Sequence, residues 1–255
     1  MSTRNTIELD GIEKRYGRAT VLHGLSLQLE GGRVNCLLGP NGAGKTTTLQ
    51  LIAGLRRADA GDIRINGVDT RSPGFRSLRR LIGYMPEQPV LYDHLTGREF
   101  LYMLGQLYGV ARERVAAVEK LLVPLGLAAD ADRLTRGYSL GMRKKVAFLG
   151  AILHDPAIIV LDEPTSGMDA ASARVVKDFM QEAASDGKLV LFTTHVMELA
   201  EHFAERVSIL NAGRIVFDGD LAGLRDQHGN APDESLETIF LRLTTNGTQV
   251  AGAIT

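Results

Sequence analysis

The stretch from Gly39 to Thr47, with the sequence GPNGAGKTT, restricts the fold of this chain more than any other feature. It follows an apolar, strand-like run at Val34–Leu38 and leads into a helix-like segment at Thr46–Gly54. Its glycines permit backbone conformations that a side chain would forbid, so several N–H groups can converge on one concavity. The helix that follows adds unpaired N–H groups and the positive end of its dipole. The pattern therefore predicts a phosphate-binding loop between a strand and a helix.

Two side chains of this loop carry chemistry of their own. The ammonium group of Lys45 can reach the β- and γ-phosphates of a nucleotide, and the hydroxyl of Thr46 is placed to ligate Mg²⁺. The alternative is a glycine-rich turn that only caps a helix. The three glycines, the lysine and the flanking strand and helix favour the phosphate-binding interpretation.

Length, charge and cysteine content limit the possible classes of protein. The 255 residues are enough for one large domain, or a domain with an inserted subdomain. The net charge of −1, from 29 basic and 30 acidic residues, gives no reason to expect a nucleic-acid partner. Cys36 is the only cysteine, so we expect no internal disulfide, a reducing compartment and a small buried side chain. With no signal segment and no long apolar run, we expect a soluble cytoplasmic chain.

A second chemical stretch is the apolar run that ends in Asp162 and Glu163. A buried strand of this kind delivers its last side chains to the carboxyl edge of a sheet, where ligands bind in open α/β folds. Beside a phosphate-binding loop, Asp162 is the expected Mg²⁺-holding carboxylate. Glu163 is the next residue, so strand alternation predicts that it faces the other side and is free to polarise a water molecule. His195 ends another apolar run, Leu189–Thr194, and can donate a hydrogen bond to a γ-phosphate.

The order of patterns along the chain predicts the architecture. Alternation at Ile7–Ile12 and Val21–Leu29, ahead of the continuous run at Val34–Leu38, predicts an antiparallel sheet beside a buried parallel one. From Thr96 to about Leu125 the apolar residues recur at helical spacing, which predicts an inserted helical subdomain. The fold class is therefore α/β: a P-loop NTPase core with a mixed, mostly parallel sheet and flanking helices, an antiparallel β subdomain and an α-helical insertion.

Five motifs occur in the order found in ATP-binding-cassette (ABC) ATPases, and together they resemble that family over about residues 6–219. The phosphate-binding loop resembles Walker A, and the run ending in Asp162 and Glu163 resembles Walker B. The other resemblances are the signature motif at Tyr138–Met142, the D-loop at Thr165–Asp169 and the switch histidine at Thr193–His195. Tyr16 lies where the family has an aromatic residue that stacks on adenine.

The resemblance implies roles for individual residues, with ATP and Mg²⁺ as cofactors. The phosphates would be held by Gly39, Pro40, Asn41, Gly42, Ala43, Gly44, Lys45, Thr46 and Thr47. The other nucleotide-binding residues would be Tyr16, Ser139, Gly141 and Asp169, and the catalytic residues Lys45, Glu163 and His195. The metal ligands would be Thr46 and Asp162 with either Glu87 or Gln88.

The chain departs from the family pattern in two motifs. In the signature only Ser139 and Gly141 match, while Tyr138, Leu140 and Met142 replace a leucine, a glycine and a glutamine. Ser139 can still cap the helix that follows and direct N–H groups at a phosphate. In the Q-loop, motif register places Glu87 where the family has glutamine, and Gln88 follows it. The sequence leaves open which of the two side chains serves.

The resemblance implies the nucleotide-binding subunit of an export-type transporter. Such a subunit would form a head-to-tail dimer with ATP at the interface and drive a permease on another chain, bound peripherally at the cytoplasmic side of the inner membrane. The alternatives are an importer subunit, a non-transport ABC ATPase of translation or DNA repair, and a regulatory nucleotide-binding module. The last two are disfavoured because the chain has one cassette, no coiled-coil insertion and a general-base candidate, Glu163.

The expected division of the chain follows from the same motifs. One ABC ATPase domain would span 6–243, with its core at 6–87 and 157–219 and the helical subdomain at 88–156. A C-terminal amphipathic extension would occupy 220–243, and a disordered tail 244–255. We expect the permease to contact a groove near the Q-loop, lined by the apolar cluster Val90, Leu91, Tyr92 and Leu95.

Overall fold

A computed structural model describes residues 4–229 and 234–245 of the chain. The first part comprises β1 (Thr6–Tyr16), β2 (Ala19–Glu30), β3 (Arg33–Leu38), α1 (Lys45–Ile52), β4 (Ala60–Ile65), β5 (Val68–Asp69), α2 (Phe75–Leu78) and β6 (Ile82–Met85). The helical part comprises α3 (Gly97–Tyr108), α4 (Arg112–Glu119) and α5 (Leu140–Ile152). The last part comprises β7 (Ile158–Asp162), α6 (Ala170–Ser185), β8 (Leu189–Thr194), α7 (Met197–Phe203), β9 (Arg206–Asn211), β10 (Arg214–Gly219), α8 (Leu221–His228) and α9 (Leu236–Thr245).

The strands form two sheets, as the sequence predicts. A four-stranded antiparallel sheet has the order β2-β1-β4-β5, and a six-stranded sheet has the order β10-β9-β3-β8-β7-β6. In the larger sheet β9, β3, β8, β7 and β6 run parallel, and only β10 is antiparallel. The carboxyl ends of β3, β7 and β8 therefore meet at one edge.

Strand β3 packs against a hydrophobic core on each of its two faces. Val34, Cys36 and Leu38 pack into one hydrophobic core with α5, α6 and α7, while Leu37 packs into a second core against the antiparallel sheet. Because successive side chains of a strand face opposite sides, a strand between two cores is mostly apolar on both faces. Asn35 is the buried polar exception, and its side-chain amide donates to the carbonyl of Val190 at 3.0 Å. Cys36 is buried, as predicted, and burial raises the pKa of its thiol.

Helix α3, the first of the helical segment, has a recognisable cap at each end. Thr96 and Glu99 form a reciprocal capping box at the start of α3, and Gly109 ends the helix in the left-handed conformation. Apolar residues of α3, α4 and α5 join the core that covers one face of the larger sheet. Short 3₁₀ turns at Lys120–Leu122 and Thr135–Gly137 connect these helices.

The end of the described chain packs on the ATPase core. Strands β9 and β10 pair antiparallel. Helices α8 and α9 lie in the segment predicted as an amphipathic extension, 220–243, and Leu236, Ile239 and Phe240 of α9 are buried. Thr244 and Thr245 are the last residues of α9, while 246–255 of the predicted tail lie outside the described residues. Within the described ranges, no helix is both long and apolar enough to cross a membrane.

Candidate functional site

The loop from Gly39 to Thr47 joins β3 to α1 in a conformation that only glycine permits at two positions. Gly44 lies just before α1 with φ 108°, a region that L side chains rarely adopt. At Gly39 the loop passes so close to β9 that a Cβ atom would lie 2.3 Å from the carbonyl oxygen of Leu210. The N–H of Gly39 donates to the carbonyl of Thr194 at 3.2 Å, which ties the loop to the end of β8.

Lys45 is buried at the start of α1. Its Nζ donates to the carbonyl oxygens of Gly39 at 2.6 Å and Pro40 at 3.2 Å, and lies 3.9 Å from Oε1 of Glu163. Burial lowers the pKa of Lys45, and the negative charge of Glu163 opposes that shift. The ammonium group therefore lies between the loop carbonyls and the carboxylate of Glu163, the residue that follows β7.

A cavity of about 410 Å³ lies over the loop. Its lining combines loop residues between Pro40 and Thr47 with Val21, Glu87, Asp162 and Glu163. Gly39 and Ala43 are buried and do not line it. A volume of this size is in the range of nucleotide and cofactor pockets, which begin at about 300 Å³.

Asp162 is fully buried at the end of β7. Its Oδ1 accepts a hydrogen bond from Oγ1 of Thr193 at 2.6 Å, whereas its buried Oδ2 has no hydrogen-bond partner in the described part of the chain. A buried carboxylate oxygen without a donor is costly, and a cation beside it removes that cost. With Thr46 and Glu87 on the same cavity, the residues fit Mg²⁺, which binds to one or two carboxylates and to substrate phosphates.

Glu163 follows β7 directly, in the left-handed conformation with φ 47°. Its Oε1 lies 2.8 Å from Nδ1 of His195. Since an ionised carboxylate only accepts, the imidazole Nδ1–H donates in this contact. The expectation that Asp162 and Glu163 face opposite sides is wrong, because both line the cavity over the loop. Alternation does not extend to Glu163, which is past the end of the strand.

His195 and Glu163 also line a second cavity of about 520 Å³, which lies between the D-loop and α7. His195 follows β8, whose register places Thr194 beside Leu38 and Thr193 beside Asp162. The imidazole side chain is nearly half exposed, so it faces the molecular surface as well as Glu163.

The signature residues lie outside the cavity over the loop. Ser139 caps α5 by accepting a hydrogen bond from the N–H of Met142 at 3.2 Å, which confirms the predicted cap. At Gly141 a Cβ atom would lie 2.6 Å from the carbonyl oxygen of Gly167, so only glycine allows this approach to the D-loop. Tyr138 is buried, and its hydroxyl donates to the carbonyl of Asp130 at 2.6 Å.

Asp169 is engaged within its own chain. Its side chain caps α6 through the N–H of Ser172 at 2.9 Å, and its Oδ2 lies 2.7 Å from Nζ of Lys145. The hydrogen bond from Lys145, followed by those from Ser172, lowers the pKa of Asp169. Asp169 lines neither of the two cavities described above.

Tyr16 lies at the end of β1 and is partly exposed. The ammonium group of Lys14 lies 5.6 Å from the ring centroid, and the guanidinium group of Arg56 lies 5.3 Å from it. The ring does not line the cavity over the loop, so the structure does not bring it together with the phosphate-binding residues.

The two Q-loop candidates occupy different environments. Both side chains are exposed, but Glu87 lines the cavity with Asp162 and Gln88 does not. We predict that Glu87→Ala raises the Mg²⁺ concentration needed for half-maximal ATPase activity by about tenfold, while Gln88→Ala changes it much less. Titration of ATPase activity with Mg²⁺ measures both variants, and the opposite ranking would assign the metal-side role to Gln88.

Sequence reasoning missed two contacts to Glu163. Oγ1 of Thr193 accepts a hydrogen bond from the N–H of Glu163 at 2.9 Å, in addition to its donation to Asp162. The Nζ of Lys144 donates to the carbonyl oxygen of Glu163 at 3.0 Å. The first contact could have been predicted from Thr193 and Thr194, because two hydroxyl side chains at a strand end can bond to groups at the end of an adjacent strand. A lysine in a charged run, Arg143 to Lys145, gave no signal that it would be buried.

Known proteins resemble this chain in sequence over most of its length. A family model described as ABC transporter matches residues 22–166. The daunorubicin resistance ATP-binding protein DrrA3 of Streptomyces coeruleorubidus is 36% identical over 88% of this chain and 71% of its own length. The Nod factor export ATP-binding protein I of Burkholderia lata is 36% identical over 84% of this chain and 70% of its own.

Solved structures share the fold. An ATP-binding subunit of an ABC transporter superposes with a TM-score of 0.85 at 31% identity, covering 93% of this chain and 98% of that structure. A dimeric ATP-binding cassette in a post-hydrolysis state, bound to ADP and phosphate, superposes with a TM-score of 0.75 at 26% identity. That match covers 84% of this chain and 98% of the other.

Proposed function

The chain belongs to the ABC transporter family and is an ATP-binding, ATP-hydrolysing subunit; from that premise we propose that it powers export through a separate membrane permease. The observation that carries the proposal is one cavity over the phosphate-binding loop. It joins Lys45, the unpartnered oxygen of Asp162 and the Glu163 carboxylate that contacts His195. The relatives are named for drug resistance and Nod factor export, which favours export over import.

The arrangement of the site supports a division of labour in hydrolysis. The loop N–H groups and Lys45 hold the β- and γ-phosphates. Thr46, Asp162 and Glu87 would hold Mg²⁺, which neutralises charge on the phosphate oxygens when bound. Glu163 accepts a proton from the water that attacks the γ-phosphorus, as the bond to the bridging oxygen of ADP breaks. His195 orients the carboxylate through the 2.8 Å contact.

A second copy of the chain completes this site in the proposed assembly. Ser139 and the N-terminus of α5 lie outside the chain's own cavity, and a helix N-terminus with free N–H groups attracts phosphate. In a head-to-tail dimer, Ser139 and Gly141 of one copy would contact the nucleotide on the phosphate-binding loop of the other. We propose that ATP binding closes this dimer and that hydrolysis reopens it.

The proposed permease contact is the loop between β6 and α3. The predicted apolar cluster is divided by the fold, since Leu91 is 4% exposed while Val90 is 89% exposed. Tyr92 is also exposed, and Leu95 packs against the core. Val90 and Tyr92 are therefore the members that can contact a partner at the cytoplasmic face of the membrane.

Replacing Val90 by aspartate tests this contact. Val90→Asp should lower recovery of the permease with the tagged chain by about tenfold, because a desolvated unpaired charge costs more than ~1.4 kcal/mol. Basal ATPase activity should stay unchanged, because Val90 is almost fully exposed and lines neither cavity. Val123→Asp is a matched control, since Val123 is 69% exposed in another loop.

The outcomes separate the parts of the proposal. Equal permease recovery with Val90→Asp and with Val123→Asp would place the contact elsewhere on the chain. If the unmodified chain never co-purifies with an integral membrane protein, the transporter function fails. If it co-purifies but hydrolyses no ATP, the catalytic assignment fails instead.

A further inference from the structure

Lys144 is a buried cation that the proposed mechanism does not use. It is the fifth residue of α5, the helix that begins at the signature, and its side chain is 1% exposed. Its Nζ donates to the carbonyl oxygen of Glu163 at 3.0 Å. Within residues 4–229 and 234–245, the ammonium group makes no other hydrogen bond and no ion pair.

Packing alone does not explain a lysine at this position. Burying an ammonium group is costly, and its three donors here have a single acceptor. Burial lowers the pKa of Lys144. The negative charges of Glu87, Glu163 and Asp162 oppose that shift, although none of these carboxylates forms an ion pair with the Lys144 ammonium group. A methionine would fill similar space without the desolvation cost.

The acceptor of Lys144 belongs to a residue with an unfavourable backbone conformation. Glu163 has φ 47°, and a non-glycine residue in this region costs about 1–2 kcal/mol. Its N–H is held by Oγ1 of Thr193 at 2.9 Å, and its carbonyl oxygen accepts from Lys144 and from the N–H of Ser166 at 3.3 Å. The backbone N–H and carbonyl of Glu163 are therefore both fixed by hydrogen bonds, which holds its side chain beside His195.

The signature helix is attached to the same segment at two further points. Gly141 approaches the carbonyl of Gly167 more closely than any side chain would allow, and Lys145 pairs with Asp169 at 2.7 Å. Lys144 lies between these two contacts in sequence. At about 1.5 Å per residue, only about 7 Å of helix separates it from the cap at Ser139. Displacement of the signature end of α5 would therefore also displace the Lys144 ammonium group that donates to the Glu163 carbonyl.

We propose that Lys144 is a positioning residue. Its hydrogen bond to the Glu163 carbonyl makes the position of the Glu163 carboxylate depend on the position of the signature helix, α5. Contact of the signature with the nucleotide of the other copy would then orient the general base of this copy through one hydrogen bond. The proposal rests on the function proposed above. It adds a link between the two sites of the dimer that passes through this chain's own residues.

The first test is Lys144→Met in the full chain. We expect kcat to fall about 100-fold, as for a catalytic group displaced by about 1 Å, while KM and the affinity for a fluorescent ATP analogue change by less than about two-fold. The thermal unfolding temperature should stay equal or rise, because a buried charge is removed. Arg143→Met is the matched control: it removes a cation of the same helix that pairs with Asp93 at the surface.

A second readout does not depend on turnover. ATP-dependent dimers of Glu163→Gln should form as readily when Lys144→Met is added, because Lys144 acts on the general base and not on the signature. Size-exclusion chromatography with ATP and Mg²⁺ measures the fraction of dimer in each variant. Loss of the dimer in the double variant would overturn the proposal, as would turnover of Lys144→Met within about two-fold of the unmodified chain.

Two further variants decide the question if Lys144→Met does not fold. Lys144→Arg keeps a charged donor long enough to reach the carbonyl, and should retain most of the turnover. Lys144→Gln is one bond shorter and should lose it. Equal turnover in these two variants overturns the proposal. Normal turnover of Lys144→Met together with an inactive Glu163→Gln would refute this inference alone, whereas an inactive unmodified chain would refute the proposed function.

Discussion

Glu163→Gln is expected to reduce ATP turnover by about 10²–10⁴-fold, the contribution of a well-placed general base. The amide keeps the shape of the side chain and can still accept the hydrogen bond from Nδ1 of His195, which now measures 2.8 Å to Oε1. It cannot take a proton from water. Binding of MgATP should persist, so the variant should accumulate as a closed dimer when sized with ATP.

Glu182→Gln is a control for the loss of one carboxylate, because Glu182 is exposed on α6 and its side chain lines neither cavity. It should turn over ATP at the rate of the unmodified chain. Continued hydrolysis by Glu163→Gln, with only monomer present in ATP, would show that Glu163 is not the base.

The second large effect is expected from Lys45→Met, which keeps most of the buried stem and removes the ammonium group. The group lies 3.9 Å from Glu163 and donates to two loop carbonyls. Among the described residues that line the cavity over the loop, Lys45 is the only lysine, so the substitution removes that positive charge from the cavity. Losing one partner of a buried charge contact with phosphate should cost about 2–5 kcal/mol of ATP binding.

Turnover of Lys45→Met should therefore fall to background at any accessible ATP concentration. Equilibrium binding of a fluorescent ATP analogue, with and without Mg²⁺, measures the affinity directly. Lys188→Met serves as the control, because the ammonium group of Lys188 pairs with Asp155 away from the cavity. Full turnover by Lys45→Met would refute the assignment of the phosphate-binding loop.

Local motifs were predicted well, since neighbours in the chain determine them. Gly44 adopts a positive φ, and Ser139 caps the helix that follows. Each of these depends on backbone sterics or on hydrogen bonds within about four residues. Strand alternation predicted the antiparallel sheet in the same way, because burial is periodic along a strand with one covered face, and the continuous apolar run predicted the buried parallel sheet.

Strand alternation failed where the strand ended. It placed Glu163 on the opposite side from Asp162, and the left-handed backbone at Glu163 places both carboxylates on one cavity. Side-chain type was equally uninformative for Val90 and Leu91, which are adjacent and apolar but differ from 89% to 4% in exposure. Only packing against distant helices decides which of the two is covered.

By itself the sequence determined the phosphate-binding loop, the strand that carries Asp162 and the helical insertion, because each depends on residues close together in the chain. The tertiary structure alone decided which distant groups meet. The order β3-β8-β7 places Leu38 beside Thr194 and Thr193 beside Asp162, and so assembles one site from three segments. It also brings Glu87 rather than Gln88 to the cavity and Lys144 to the Glu163 carbonyl. These contacts join residues 19 or more positions apart, a separation at which local sterics and helix or strand periodicity specify nothing.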